Sequence, residues 1–145
     1  MAARHIVVGL DGSPGSEAAA RWCVEMAPLL DADVVAVDVL PPLFGVVPPV
    51  VPGAIPMEYD ADSRRLFARE LDDFCKPFES AGIEYRPMLL EGEPAAMLMQ
   101  VADDVDAALI VVGRRGRGGF KALVLGSVPH HLSHHAARPV VVVPA

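Results

Sequence analysis

The stretch "ALIVVGRRGRGGFKALVLGS", residues 108–127, runs from an unbroken apolar segment into a basic, glycine-rich loop and closes on Gly-Ser. Its first half, rich in Val and Ile, has the pattern of a strand covered on both faces. Arg114, Arg115, Arg117 and Lys121 then stand among five glycines, Gly113, Gly116, Gly118, Gly119 and Gly126, in a chain whose formal net charge is −7. Glycines let backbone N–H groups approach a ligand closely, and a helix that begins at Gly126 and Ser127 adds unpaired donors and a partial positive charge. The stretch thus reads as strand, anion-binding loop and helix start, with the Ser127 hydroxyl and the N–H groups of Ser127 and Val128 facing phosphate oxygens. Pro129 suits an early helical position, although it removes one donor.

The same strand pattern recurs on both sides of it. "HIVVGL" (5–10), "DVVAVDVL" (33–40) and "PVVVVPA" (139–145) are apolar runs, and "IEYRPMLL" (83–90) is a more polar one whose Pro87 suits a sheet edge. Between them lie helical patterns. Ser13 and Pro14 make an N-cap and first-turn pair ahead of Ala19, Trp22, Cys23, Met26 and Leu30. From Asp60 to Ala81 the residues Phe67, Leu71, Phe74 and Phe78 mark one face, with Gly82 as a left-handed stop and a kink or early end expected at Pro77. A third helix is predicted from Pro94 to about Asp103, and a fourth from near Gly126. Strict alternation of buried strands and helices implies an α/β fold with a parallel, doubly wound sheet and right-handed crossovers. Ligands of such sheets sit beyond the carboxyl ends of the strands, where the strand order reverses. The first and fourth strands flank the expected reversal, and their ends carry Gly9 to Ser13 and Gly113 to Gly119.

The bulk properties narrow the function. At 145 residues the chain fits one domain, 1–145. Its acidic balance argues against nonspecific nucleic-acid binding, which needs a basic face. Six prolines between Pro41 and Pro56 prevent that apolar segment from forming the roughly 20-residue helix of a membrane span. The short apolar run near the start does not make a signal peptide, so a cytoplasmic location is expected, and Cys23 and Cys75, without CxxC spacing, read as buried thiols. No GxxxxGK[ST], early GxGxxG or GxSxG occurs.

The spacing Gly113, two residues, Gly116, nine residues, Gly126, Ser127 matches the G-2X-G-9X-G(S/T) signature, and with "IVVGLDGSPGSEAA" and "RPVVVVPA" the chain resembles the universal stress protein family over essentially its whole length. That resemblance implies a five-stranded, mostly parallel, Rossmann-like sheet in the order 3-2-1-4-5 and a site for ATP with Mg²⁺, the ion held mainly by the phosphates. It implies that Asp11 lies near the ribose or a phosphate-bound metal, that Gly9 allows close approach, and that Val39 meets adenine through its main chain. Gly113 and Gly116 would line the ribose and phosphates; Gly126, Ser127 and Val128 would hold the phosphate tail. The cofactor-binding set also takes in Arg114, Arg115, Arg117, Gly118 and Gly119, at positions that the signature leaves open. Pro129 departs from the small hydroxyl residue many relatives carry. A homodimer through the last strand, Pro139 to Pro144, is also implied.

The expected activity is that of a nucleotide-linked stress-response regulator or binding module with little or no turnover. Two alternatives are a slow ATPase or adenylyl-transfer enzyme and a nucleotide-free dimeric interaction protein. The Pro41 to Pro56 segment follows the second strand and reads as a lid, a dimer contact or a protein-partner loop, with a merely flexible loop as the alternative. "HHLSHH" places His130 with His134 and His131 with His135 at i, i+4, which reads as solvated or phosphate-facing helix histidines, since the Glu of HExxH is missing. Asp103, Asp104 and Asp106 read as a solvated turn at the opposite end of the sheet.

Overall fold

A computed structural model describes residues 4–42, 58–115 and 125–145. Its elements run β1 (Arg4–Gly9), α1 (Pro14–Leu30), β2 (Ala32–Leu40), α2 (Ala61–Phe74), α3 (Lys76–Ser80), β3 (Tyr85–Glu91), α4 (Pro94–Asp104), β4 (Leu109–Gly113), α5 (Ser127–His135) and β5 (Val140–Val143). The five strands form one sheet in the order β3-β2-β1-β4-β5, as expected from the sequence. Every pairing is parallel, with Gly9 opposite Val37, Ile6 opposite Leu109 and Ile110 opposite Val140. The polar, proline-bearing β3 does lie at an edge, where Pro87 withholds no hydrogen bond from an outer neighbour.

Side chains along a strand alternate between faces, and here both faces are apolar. Ile6, Val8, Val34 and Ala36 pack under α1, α2 and α3 against Ala19, Cys23, Leu71 and Phe78. Val7, Val35 and Val37 turn the other way, toward Ala95, Leu98 and Val101 of α4 and Leu132 of α5. Fully burying one such large side chain is worth about 1.5–3 kcal/mol. The continuous Val/Ile runs are the sequence trace of this double burial.

Helix starts follow their caps. The Ser13 hydroxyl accepts from the Ser16 N–H at 3.1 Å, with Pro14 in the first turn, and an Asp60 carboxylate oxygen accepts from the Ser63 N–H at 2.7 Å. The Ser63 N–H holds the Asp60 carboxyl below its ordinary range. The segment expected as one helix from Asp60 to Ala81 is two. α2 ends at Phe74 and α3 begins at Lys76, so the break falls at Cys75, ahead of Pro77 rather than on it. In a continuous helix the Pro77 ring would clash with the Asp73 carbonyl and leave one bond unmade, a cost of about 3 kcal/mol. Restarting the helix puts Pro77 in a first turn, where its missing N–H costs little. Gly82, at φ 69°, then turns the chain as expected. At the opposite end of the sheet Arg138 reaches Asp106 at 3.1 Å and the Ala107 carbonyl at 2.7 Å, tying the α4–β4 turn to β5.

No helix among the described residues is long and apolar enough to cross a membrane. Most of the Pro41 to Pro56 segment lies outside the described residues, as do Gly116, Arg117, Gly118 and Gly119.

Cys23 and Cys75 are both free and fully enclosed, and burial pushes each thiol up to about 12. Since the thiolate is the reactive form, both should resist alkylation in the native protein at pH 8 and react together once the protein is unfolded. Mass spectrometry after a short iodoacetamide pulse, with and without urea, checks this. Rapid native labelling of either residue would contradict the burial.

Candidate functional site

The helix that follows β1 covers one face of the sheet and the helix that follows β4 covers the other, so the two neighbouring strands send their chains apart. A cavity of about 670 Å³ opens at that parting, at the carboxyl ends of the strands. This volume suits a ligand of nucleotide size. Gly9, Asp11, Val39, Gly113, Arg115, Gly126, Ser127 and Val128, all expected from the sequence, line it together.

Each is positioned by local backbone chemistry. After β1 ends at Gly9, an Asp11 carboxylate oxygen accepts from the Ser13 N–H at 2.9 Å, closing a tight turn in which Gly12 takes φ 83°. A side chain at Gly12 would meet the Phe74 ring at 2.7 Å, so the turn is held from behind by α2. On β2, the Val37 carbonyl accepts from the Leu10 N–H at 2.8 Å and therefore points toward β1. Backbone groups two residues apart along a strand point the same way, so those of Val39 also point toward that side, beyond the last strand residue of β1. That puts a main-chain donor and acceptor at the cavity wall, the geometry needed to read the edge of a base.

The glycine-rich loop is pinned at both ends. The Arg114 N–H donates to the Val143 carbonyl and the Gly126 N–H donates to the Arg114 carbonyl, each at 2.9 Å. Arg114 contributes these backbone bonds, while its side chain is not part of the cavity wall. Gly126 precedes α5 as its N-cap, without a side-chain cap bond, and Ser127 and Val128 open the helix. Next to the loop, the first turn of α1 lies backbone against backbone on the end of β4. A methyl group at Gly113 would fall 2.3 Å from the Gly15 carbonyl carbon, and one at Gly15 would fall 2.2 Å from the Arg115 carbonyl oxygen.

Sequence reasoning placed Leu10 and Ser13 at this edge, within the Gly9 to Ser13 stretch, and missed several other wall residues. Leu10, Val37, Leu98 and Val112 give the cavity an apolar floor, and Ser13 and Ser16 add hydroxyls. Asp38 is 2% exposed and also lines the cavity. A lone carboxylate inside "VVAVDVL" was the available signal, because a charge in a strand buried on both faces needs a reason. The histidine group divides: His130 lines the cavity, and His131, His134 and His135 do not. The ring centres of His130 and His134, and of His131 and His135, are 4.7 Å apart. Among the described residues no cluster of three or more metal-ligating side chains could hold an ion.

The sequence model described as the universal stress protein family matches residues 2–144. The chain belongs to the universal stress protein family. It is 33% identical over 138 residues to a universal stress protein of Mycolicibacterium smegmatis, covering 95% of this chain and 45% of that protein. The chain spans less than half the length of such mycobacterial relatives, 45–46% for the Mycolicibacterium smegmatis and Mycobacterium tuberculosis proteins. The universal stress protein from Archaeoglobus fulgidus in complex with dAMP superposes with a TM-score of 0.72 at 25% identity, covering 99% of both chains. A universal stress protein in complex with cAMP gives 0.67 at 26% identity, covering 99% of this chain and 98% of that one.

The contact of α1 with β4 generates a stability prediction. Gly15→Ala and Gly113→Ala each push backbone against backbone, which no rotamer change relieves, and should cost about 1–3 kcal/mol. Urea unfolding of the two variants measures it. A loss under about 0.3 kcal/mol in both would mean that the two segments do not touch.

Proposed function

We propose that this universal stress protein family member binds an adenine nucleotide in the cavity between β1 and β4 and works as a nucleotide-linked regulator or binding module. The observation that carries the reading is the convergence, on one cavity, of an apolar floor, the main chain of Val39 and the N-terminus of α5 at Ser127 and Val128. These three features suit, in turn, a base's ring face, a base's edge and a phosphate. The dAMP and cAMP bound by related universal stress proteins support the adenine nucleotide class.

Within this reading ATP is the working ligand. Asp11 and Asp38 are the carboxylates of the described wall, and hard oxygen donors of that kind fit Mg²⁺, which keeps waters and phosphate oxygens as its remaining ligands. Asp11 would face the ion or the ribose, and Arg115 would add charge opposite the phosphates. Turnover should be slow or nil, because phosphoryl transfer needs a base that orients the attacking water and a clamp on the developing charge. Of the two wall carboxylates, Asp11 is engaged by the Ser13 N–H and Asp38 is buried in the sheet. β5 forms the other edge of the sheet, and we infer a homodimer built on that strand, with a cytoplasmic setting.

Two experiments test the reading. Freshly purified protein, denatured and analysed by chromatography and mass spectrometry, should release adenine nucleotide approaching one equivalent per chain. No release, together with no rise in melting temperature on adding ATP, would transfer the cavity to a different ligand class. Ser127→Asp separates binding from folding. A carboxylate in the first turn favours the helix dipole but occupies the phosphate seat with a like charge, so ATP binding should be lost while the melting temperature holds or rises. The milder Ser127→Ala should weaken ATP binding by about 1–2 kcal/mol by calorimetry. Unchanged affinity in both variants would displace the phosphate from α5.

A further inference from the structure

The first turn of α5 is short of anion donors. A helix ordinarily leaves four N–H groups unpaired at its start. Here the Gly126 N–H is spent on the Arg114 carbonyl, and the third helical residue, Pro129, has none. Ser127 and Val128 remain as the backbone donors this turn can offer a phosphate. The next residue, His130, uses its own N–H on the Gly126 carbonyl at 3.0 Å, and it is an exposed residue of the cavity wall. Helix side chains lean toward the N-terminus, which aims this imidazole at the seat that Pro129 impoverishes.

We propose that His130 is a phosphate ligand of the cavity, an imidazolium that stands in for the backbone donor removed by Pro129 and makes polyphosphate binding tighten as pH falls. The inference rests on the nucleotide reading above and adds to it a residue and a dependence on acidity. An imidazole changes charge between about pH 5 and 8, and a phosphate beside it favours the protonated form. Binding then takes up a proton, so affinity rises toward acid and the added attraction is gone where the ring is neutral.

The charged and titratable groups around His130 come from its own helix, the cavity wall and α4. On its own helix His130 faces His134, whose ring is 4.7 Å away. The cavity wall itself carries Asp11, Asp38 and Arg115, each engaged in interactions of its own, and Arg115 borders the start of α5. The Glu93 carboxylate, at the start of α4, is occupied by the N–H groups of Ala95 and Ala96. Asp103 and Asp104 lie at the far end of α4, with Asp103 toward Arg138, and β5 carries no charged side chain.

Calorimetric titrations with ATP and with adenosine, at about pH 6 and about pH 8.5 in Mg²⁺-containing buffer, test the proposal on the wild type, His130→Gln and His131→Gln. Each protein is first passed through EDTA, which strips transition metals from the histidine pairs, and then exchanged into that buffer. Comparing proteins at one pH cancels the protonation of the nucleotide itself. His130→Gln should bind ATP about three- to tenfold more weakly than wild type at pH 6, with the two converging at pH 8.5. Adenosine should bind both alike, and His131→Gln, one position along and outside the wall, should track the wild type throughout. Repeating the wild-type titration near pH 7 in two buffers of different ionisation heat should reveal proton uptake that His130→Gln lacks. Equal ATP affinity of His130→Gln and wild type at pH 6 overturns the assignment, as does an equal loss in His131→Gln, which would reflect the general charge of the helix. If the wild type binds neither ATP nor adenosine, the nucleotide reading itself falls. If it binds ATP with a pH response that His130→Gln shares, only the role of His130 falls.

Discussion

A parallel sheet has two apolar faces, and both must be covered before any strand of it is stable. In this chain that constraint sets nearly everything else. It demands helices on each side, which the alternating order supplies, and it forces the chain to leave neighbouring strands β1 and β4 in opposite directions. The cavity is the geometric remainder of that parting. A site at this place therefore costs the fold no core packing, because the space between diverging helices cannot be filled by either of them.

What shapes the remainder is a second constraint, the closeness of backbones. α1 begins so near the end of β4 that Gly15 and Gly113 have no room for a methyl group, and the Arg115 carbonyl lies against Gly15. The bonds from Arg114 to Val143 and from Gly126 to Arg114 hold the other side of the same loop. The start of α1, the end of β4, the start of α5 and the end of β5 are thereby tied to one another. Such ties hold backbone donors in place, and preorganised donors bind an anion without a further ordering cost.

Charge is arranged locally against the chain's overall sign. A protein with net charge −7 must overcome its own field to attract a phosphate. The N-terminus of α5, with Arg115 and His130 beside it, stands at one side of the cavity, while Asp11, after β1, and Asp38, on β2, line it as well. Under the proposed nucleotide reading, that polarity would turn phosphates toward α5 and the ribose toward the carboxylates.

Much of this was legible in the residues. Val/Ile runs separated by capped helical patterns determined an α/β fold with a buried parallel sheet, and the glycine spacing picked out Gly113, Gly126 and Ser127, which line the cavity at the carboxyl edge. Both signals are local: periodicity, caps and glycine spacing act over a few residues, so a linear reading recovers them. The break at Cys75 was half legible, since Pro77 announced a disruption but not that the helix would restart one residue earlier. Tertiary structure alone decided the close contact of Gly15 with β4, the place of Asp38 in the cavity wall and the separation of His130 from the three histidines around it. Those outcomes depend on which faces of distant segments come together, and sequence spacing carries no record of that until the sheet has closed and the helices have settled on it.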